Sequence, residues 1–462
     1  EGFDALVRAR APDPLDPERG PLARFTLIRP GGQDPVLLLA VHHIAADLWS
    51  LGLLLAQLGD RYRELADGAT DTPAPAPGMS EVVAAEHRLL TGPAGARMRN
   101  EWIDLLADTA DSALRLPLDR PRPPTRTWSG SLLRLPFGTG LSEQVRGTAR
   151  RLGTTPFVVL LSCYAVLLAR LSGERRFVVG VPTAVRPDAR SGQVVGYCVN
   201  TLPVPMEVPV DGSFAGLVRD TAVRFRRALA ARQYPLPLIA AAVRPARDAA
   251  RGPLFTTMFG WTATPPGAPD GLSALAEEIA GRECRVGGLV LEAVPLPHAA
   301  ALADLDVSVA ESDGELTLVL RYATEVLDGA TAEELGGRLL RVAAAAAMDD
   351  ETPIAGLTVL SDAERARLDE LTAGRGPRPE PSRTMIDYFA DSCASHPEAP
   401  AVVSGAGTVT YAELAAEVAA AAARLGGGGG ARGRPDVGLG GVVGEGSGPR
   451  GGAPPPPPRS GS

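Results

Sequence analysis

The apolar positions change period once in the first seventy residues. "FTLIRPGGQDPVLLLAV" (25–41) is two apolar runs parted by a Pro-Gly-Gly turn, which predicts two strands. Leu51, Leu54, Leu55, Leu58, Tyr62 and Leu65 then recur every three or four residues. That spacing predicts a helix with an apolar stripe, closed by Ala66-Asp67-Gly68. At the switch between the two periods stand three polar residues, His42, His43 and Asp47.

Beyond that helix "GATDTPAPAPG" reads as a linker, followed by helices around "MSEVVAAEHRLL" and "ARMRNEWIDLLADT" and a proline-braced extended segment, "LPLDRPRPPTRTWSG". From 140 onward helix and strand patterns interleave. "LSEQVRGTARRLG", "TPFVVLLSCYAVLLARLSG" and "FAGLVRDTAVRFRRALAARQ" read as helices. "RFVVGVPTAVRP" reads as a strand running into a loop, "GYCVNTLPVPMEV", "PLFTTMFGWTA", "ECRVGGLVLEAV", "LADLDVSVAES" and "GELTLVLRYA" as strands, and "ATAEELGGRLLRVAAAAA" as a closing helix. The pattern is that of a mixed α/β (α+β) domain. After residue 362 a linker leads to a short helix–strand–strand–helix piece, and from Gly426 the Gly/Pro-rich text predicts a disordered tail.

Composition narrows the chemistry. The chain has 462 residues, 45% of them hydrophobic, which is enough for a sizeable core. A net charge of -8 argues against nucleic acid or an anionic membrane as partner. All 46 basic residues are arginine, so no mechanism that needs a Schiff-base or phosphate-loop lysine is open. Cys163, Cys198, Cys284 and Cys393 lie far apart without a CxxC pair and read as buried thiols. No signal peptide and no apolar run of about 20 residues is present, so the expected location is cytoplasmic.

Adjacent strand residues face opposite sides, so His42 and His43 serve one site only if the strand has ended before them. Asp47 precedes the predicted helix and has the residue type of an N-cap. Two His and one Asp also make a partial metal set, but no His or Cys cluster supplies the remaining ligands, and no metal is expected.

The motif HHxxxD at a strand end, followed by Trp49-Ser50 and an amphipathic helix, resembles the signature of the condensation domains of nonribosomal peptide synthetases. Further segments resemble that family in its order. They are "LPLDRPRPP", the helix and strand leading to "GVPTAVR", "VVGYCVNTLPV", "ARQYPLPLI", "RPARDAARGPLFTTMF" and "LADLDVS". The resemblance covers residues 1 to about 362 and begins after the family's opening strands. "TMIDYFADSCASHPEAPAVVSGAGTVTYAEL" resembles the start of an adenylation domain, ending on Thr410, Tyr411, Glu413 and Leu414. That piece is too short to hold the phosphate loop and catalytic lysine of its family.

The resemblance implies a chloramphenicol acetyltransferase-like fold, two lobes in a V around a tunnel. Residues 1–90 would form an incomplete N-terminal lobe and 91–362 the C-terminal lobe. A linker (363–383), an adenylation fragment (384–425) and the tail (426–462) would follow. It implies amide formation between a donor thioester and an acceptor amine, both carried on phosphopantetheine of partner carrier domains, with no cofactor bound by the domain itself. His43 would be the catalytic histidine. An ordinary imidazole titrates near pKa 6.5 and is mostly neutral at neutral pH, so it could act as base or as a positioning group. Asp47 and Arg186 would form a structural ion pair, with the guanidinium holding the carboxylate in two bonds, and His42 would be buried scaffold. Leu48, Trp49, Asn200 and Tyr234 are the tunnel-lining candidates. Leu48 stands where the family has Gly, a residue whose absence would alter backbone freedom or tunnel space. A starter, ester-forming or epimerising relative, or a non-catalytic carrier-docking fragment, remain alternatives of the same resemblance.

Overall fold

The computed structural model describes residues 15–29, 31–32, 34–68, 77–109, 114–243, 254–296, 300–372, 384–405 and 407–426. They belong to two compact units, Glu1–Thr372 and Ala373–Ser462. The expected tail beyond Gly426, His298, most of "GATDTPAPAPG" and the first part of "RPARDAARGPLFTTMF" lie outside the described residues.

The first unit opens with the expected hairpin, β1 (Ala23–Ile28) antiparallel to β2 (Val36–Val41), and Leu27 sits opposite Leu37. Helices α1 (Leu48–Ala66), α2 (Met79–Thr91) and α3 (Pro93–Leu105) follow. The scaffold is a six-stranded mixed sheet in the order β3 (Gly130–Pro136), β10 (Glu315–Ala323), β9 (Leu305–Ser312), β6 (Thr257–Thr262), β4 (Arg176–Ala184), β5 (Val199–Glu207). β9 and β4 run parallel to β6, and the other pairs are antiparallel.

Helices α4 (Gly138–Arg151), α5 (Pro156–Ser172), α6 (Phe214–Ala230) and α9 (Gly329–Met348) belong to the same apolar core as this sheet. α5 is its centre because the sequence makes it apolar all round. Every residue from Val158 to Leu168 is buried. Its ends are set by Thr155, whose side chain accepts from the Val158 N–H, by Pro156 in the first turn, and by Gly173 at φ 74°. Each large side chain buried there contributes about 1.5–3 kcal/mol. No single helix among the described residues is long and apolar enough to cross a membrane.

Three expectations are corrected, and three elements are new. "ECRVGGLVLEAV" is a hairpin, β7 (Glu283–Val286) and β8 (Leu289–Glu292), because Gly287 and Gly288 both take positive φ and turn the chain back. The apolar stripe of α1 is covered only at its start: Leu55 is buried, Leu58, Tyr62 and Leu65 are exposed, and the other buried positions are Ser50, Gly52 and Gly59. Small residues win there because backbone approaches closely. A Cβ on Gly59 would lie 2.7 Å from the Gly287 nitrogen, and one on Gly52 would lie 2.8 Å from the Ala268 Cβ.

The stretch 363–383, expected as a linker, begins as part of α10 (Asp362–Thr372). Glu364 of that helix accepts from Arg338 and Arg341 of α9 and from the Ser361 N–H. Lastly, β3, α7 (Leu236–Val243) and α8 (Leu272–Ala276) carried no signal strong enough to be marked in the sequence. The second unit is the expected helix–strand–strand–helix piece, α11 (Met385–Ser395), β11 (Pro400–Ser404), β12 (Gly407–Thr410) and α12 (Tyr411–Gly426).

On β9, Leu305, Val307 and Val309 face the apolar core, so alternation puts Asp306 and Ser308 on the sheet's other face. Asp306 pairs across the ladder with Arg321, whose guanidinium is taken by Glu277 near the end of α8. Burial pushes the Asp306 carboxyl up to about 6; Arg321 opposes the shift and the Glu277 charge adds to it. A carboxyl with a raised folded pKa binds its proton more tightly in the native state. Stability is therefore lost as pH rises from the ordinary carboxyl range to about 6, and stays lower above it. Asp306→Asn removes that penalty. It is expected to raise the unfolding free energy at pH 8 by on the order of 2 kcal/mol and to have little effect at pH 4. Urea melts of both proteins at the two pH values check this, and an equal effect at both contradicts it.

Candidate active site

β2 ends at Val41, so both histidines lie beyond the strand in a turn closed by the Ala45 N–H donating to the His42 carbonyl, 2.8 Å. The alternation that would have parted them no longer applies. His42 and His43 nevertheless do different things. The His42 ring is half-buried, not buried as expected, and its Nδ1 accepts from the Ile44 N–H at 3.2 Å. It sits past the end of β2, whose residues are themselves only partly covered. His43 is exposed, and its Nδ1 lies 2.8 Å from the Ala46 carbonyl. A carbonyl only accepts, so Nδ1 carries the proton and Nε2 presents its lone pair.

Asp47 closes the turn and opens α1. The sequence offered two readings, N-cap or ion pair, and the carboxylate does both. Its Oδ1 accepts from the Ser50 N–H at 2.8 Å, which is the N-cap bond. Arg186 Nη2 donates to Oδ1 at 2.9 Å and to Oδ2 at 3.0 Å. Both side chains are only 1% exposed, so the pair is fully withdrawn from water. The expected two-bond contact is therefore present, but it is made by one nitrogen and not by a two-nitrogen fork. Nη1 is used elsewhere, donating to the carbonyls of Ser191 and Val194, each at 2.7 Å.

These bonds bind a strap, residues 185–198, to the start of α1. The Cys198 N–H donates to Asp47 Oδ2 at 3.0 Å. Ser50 Oγ accepts from the Gly196 N–H at 3.0 Å and lies 2.8 Å from the Gly196 carbonyl. Trp49 Nε1 donates to the Gly192 carbonyl at 2.9 Å, and the Arg186 guanidinium lies 5.5 Å from the Trp49 ring centre. Among the described residues no hydrogen bond joins Asp47 to His43. Asp47 is the anchor of the loop, not a relay to the imidazole.

The tunnel-lining candidates part company. Asn200 lines a cavity of about 600 Å³ between α2 and the strap, together with Met79, Val82, Tyr197 and Cys198. Its amide is also fully committed: Nδ2 donates to the carbonyls of Arg232 and Tyr234, and Oδ1 accepts from the Leu236 N–H at 3.0 Å. Tyr234 is buried in the apolar core and does not line that cavity. Leu48 and Trp49 do not line it either. Leu48 is the first residue of α1 and has no positive φ, so the backbone here makes no demand for glycine.

The residue that the sequence did not single out is Tyr197, whose ring meets the His43 ring edge-on at 5.0 Å and 86°. Its only signal was its place two residues after Val195 in the quoted "VVGYCVNTLPV" segment. In the second unit, Glu413 of "TYAEL" accepts from the Thr410 N–H at 2.8 Å while its own N–H donates to Thr410 Oγ1 at 3.3 Å. That motif is a helix capping box, which explains its Thr and Glu without any catalytic demand.

Comparison with known proteins identifies the family and the fold. A family model described as Condensation domain matches residues 1–368. The isonitrile lipopeptide synthase of Mycobacterium tuberculosis is 31% identical over 410 residues, which are 85% of this chain and 16% of that protein. The chain thus spans a minor part of the curated relatives it matches. A four-domain nonribosomal peptide synthetase solved with AMP and glycine superposes with TM-score 0.71 at 23% identity, over 94% of this chain and 32% of that one. The first condensation domain of the calcium-dependent antibiotic synthetase superposes with TM-score 0.60 at 21% identity, over 78% of this chain and 74% of that one.

Arg186→Ala leaves the Asp47 carboxylate buried and without its cation. It is expected to cost about 3–5 kcal/mol in unfolding free energy. Arg186→Lys restores little, because one ammonium cannot reach Asp47 and the two strap carbonyls together. Urea denaturation checks both, and an unchanged midpoint for Arg186→Ala contradicts the anchoring role.

Proposed function

The chain belongs to the condensation-domain family of nonribosomal peptide synthetases, and from that premise we propose that it joins two carrier-bound substrates through an amide. The observation that supports this best is His43: exposed, held at Nδ1 by the Ala46 carbonyl, and free at Nε2 to meet an amine.

In this reading the acceptor's amine nitrogen attacks the carbonyl carbon of the donor thioester. A tetrahedral adduct forms and its C–S bond breaks. A C–N bond replaces it, and the amine proton ends on the sulfur of the donor carrier's phosphopantetheine. Nε2 of His43 accepts a hydrogen bond from the attacking amine and carries its proton to the departing sulfur. An α-amine titrates near pH 8, so part of it is already neutral, and orientation of its lone pair is as large a task as removal of its proton. The substrates arrive on donor and acceptor carrier domains, and the protein supplies no cofactor of its own. The two-lobed arrangement around a tunnel, and a cytoplasmic setting where such carriers work, belong to the same reading.

The second unit is read as the start of an adenylation domain. It is supported by the "TYAEL" segment and by the four-domain synthetase, which superposes over a larger share of this chain than the single condensation domain does.

Donor and acceptor carrier proteins, loaded with aminoacyl groups and mixed with the protein, should yield a condensed product visible by intact mass. His43→Ala should slow its formation by about 10²–10⁴-fold. His43→Gln keeps a hydrogen-bond acceptor that cannot take a proton. Activity near that of the native protein in the Gln variant marks His43 as a positioning group, and loss equal to Ala marks it as a base. Condensation at the native rate by the Ala variant rejects both roles.

A further inference from the structure

The buried ion pair makes no hydrogen bond to His43, yet it fastens the strap on both sides of Tyr197, whose ring meets the His43 ring from across the site. On the near side, the Gly196 N–H donates to Ser50 Oγ at 3.0 Å and the Gly196 carbonyl accepts from Arg186 Nη2 at 3.3 Å. On the far side, the Cys198 N–H donates to Asp47 Oδ2 at 3.0 Å. Tyr197 lies between these anchors, so its backbone is held by the same network that caps α1.

From that fixed point its ring reaches His43 at a centroid distance of 5.0 Å, edge to face. A single hydrogen bond from Nδ1 to the Ala46 carbonyl sets the tautomer but is a pivot, about which the imidazole can still swing. A ring packed edge-on removes that swing. Tyr197 also lines the cavity of about 600 Å³ beside α2. Burial, and after it the Asp47 charge, push the Tyr197 hydroxyl above the ordinary tyrosine range, so the phenol keeps its proton at neutral pH. Its contribution is therefore the ring and not an ionised oxygen.

We propose that Tyr197 is a positioning residue for His43: the Asp47–Arg186–Ser50 network acts on the chemistry by holding this ring against the imidazole so that Nε2 points at the incoming amine. The claim about chemistry rests on the condensation reading, but the contact itself does not depend on it.

The test uses the full chain with nitrogen-15-labelled histidine, of which there are five in the sequence. Tyr197 is 42% exposed, so Tyr197→Leu should leave the fold intact, which an unchanged thermal melt verifies. In the native protein the His43 signals should report a single tautomer with the proton on Nδ1. Tyr197→Leu should mix or broaden them, and in the carrier assay should lower kcat by about 10- to 100-fold with a smaller change in KM. Tyr197→Phe keeps the ring and should restore both the signals and most of the rate.

Native-like His43 signals and kcat in a folded Tyr197→Leu protein overturn the inference, as does failure of Phe to restore what Leu removes. If instead no variant condenses, the native protein included, while Leu still disturbs the His43 ring, the positioning contact stands and the condensation reading falls. Should Leu lower the melting temperature, Tyr197→Met serves as a second truncation of the ring read by the same signals.

Discussion

The Asp47–Arg186 ion pair is the constraint on which the rest of the site depends. Two charges withdrawn from water are costly unless each remaining lone pair and N–H is used, and here nearly all are. The Asp47 carboxylate takes the Ser50 and Cys198 backbone N–H groups besides the guanidinium, and Arg186 donates to three strap carbonyls, those of Ser191, Val194 and Gly196. Hydrophobic residues of equal volume would pack as well, but they would not fix three segments of chain at defined hydrogen-bond distances. The turn that carries His43, the first turn of α1 and the strap that carries Tyr197 are all tied through these two side chains.

This arrangement separates rigidity from reactivity. The buried polar network is where the charge is, yet His43 is an exposed imidazole a few residues away, which among the described residues meets the Ala46 carbonyl and the edge of the Tyr197 ring. A carboxylate bonded directly to His43 would stabilise the imidazolium and favour a proton relay. Here the carboxylate is committed elsewhere. What the fold places against His43 is the Ala46 carbonyl, which fixes the tautomer, and the Tyr197 ring, to which we assign its orientation. The six-stranded sheet and the fully buried α5 supply the stiff base from which β4 and β5 deliver the two ends of the strap.

Much of this was legible in the chain. The hairpin before His42, the helix after Asp47, the apolar run of α5 and the alternation of β9 and β10 each carry a local period, and local periods survive into the fold because one face must be buried. The HHxxxD motif, with "GVPTAVR" and "VVGYCVNTLPV" in order, was enough to pick out His43, Asp47 and Arg186. Less legible were features that depend on who packs against whom. The stripe of α1 predicted burial of Leu58, Tyr62 and Leu65, but these are exposed, and the helix is instead approached closely at Gly52 by Ala268 and Leu272 and at Gly59 by Val286 and Gly287. β3 and α7 have weak periods of their own and exist because β10 and Asn200 accept them.

The sequence by itself determined the order of most elements, the family, and His43, Asp47 and Arg186 at the site, because those follow from residue types and short-range periods. Tertiary structure alone decided how they are used. It let Asp47 be cap and ion-pair partner at once, because a carboxylate has two oxygens and the fold brings a helix start, a strap and a guanidinium to them together. It removed Tyr234 to the core, spent the Asn200 amide on three backbone groups, and brought Tyr197, 154 residues along the chain, against His43. No local pattern encodes a contact across such a separation, since it is fixed only when the sheet and the buried ion pair have formed.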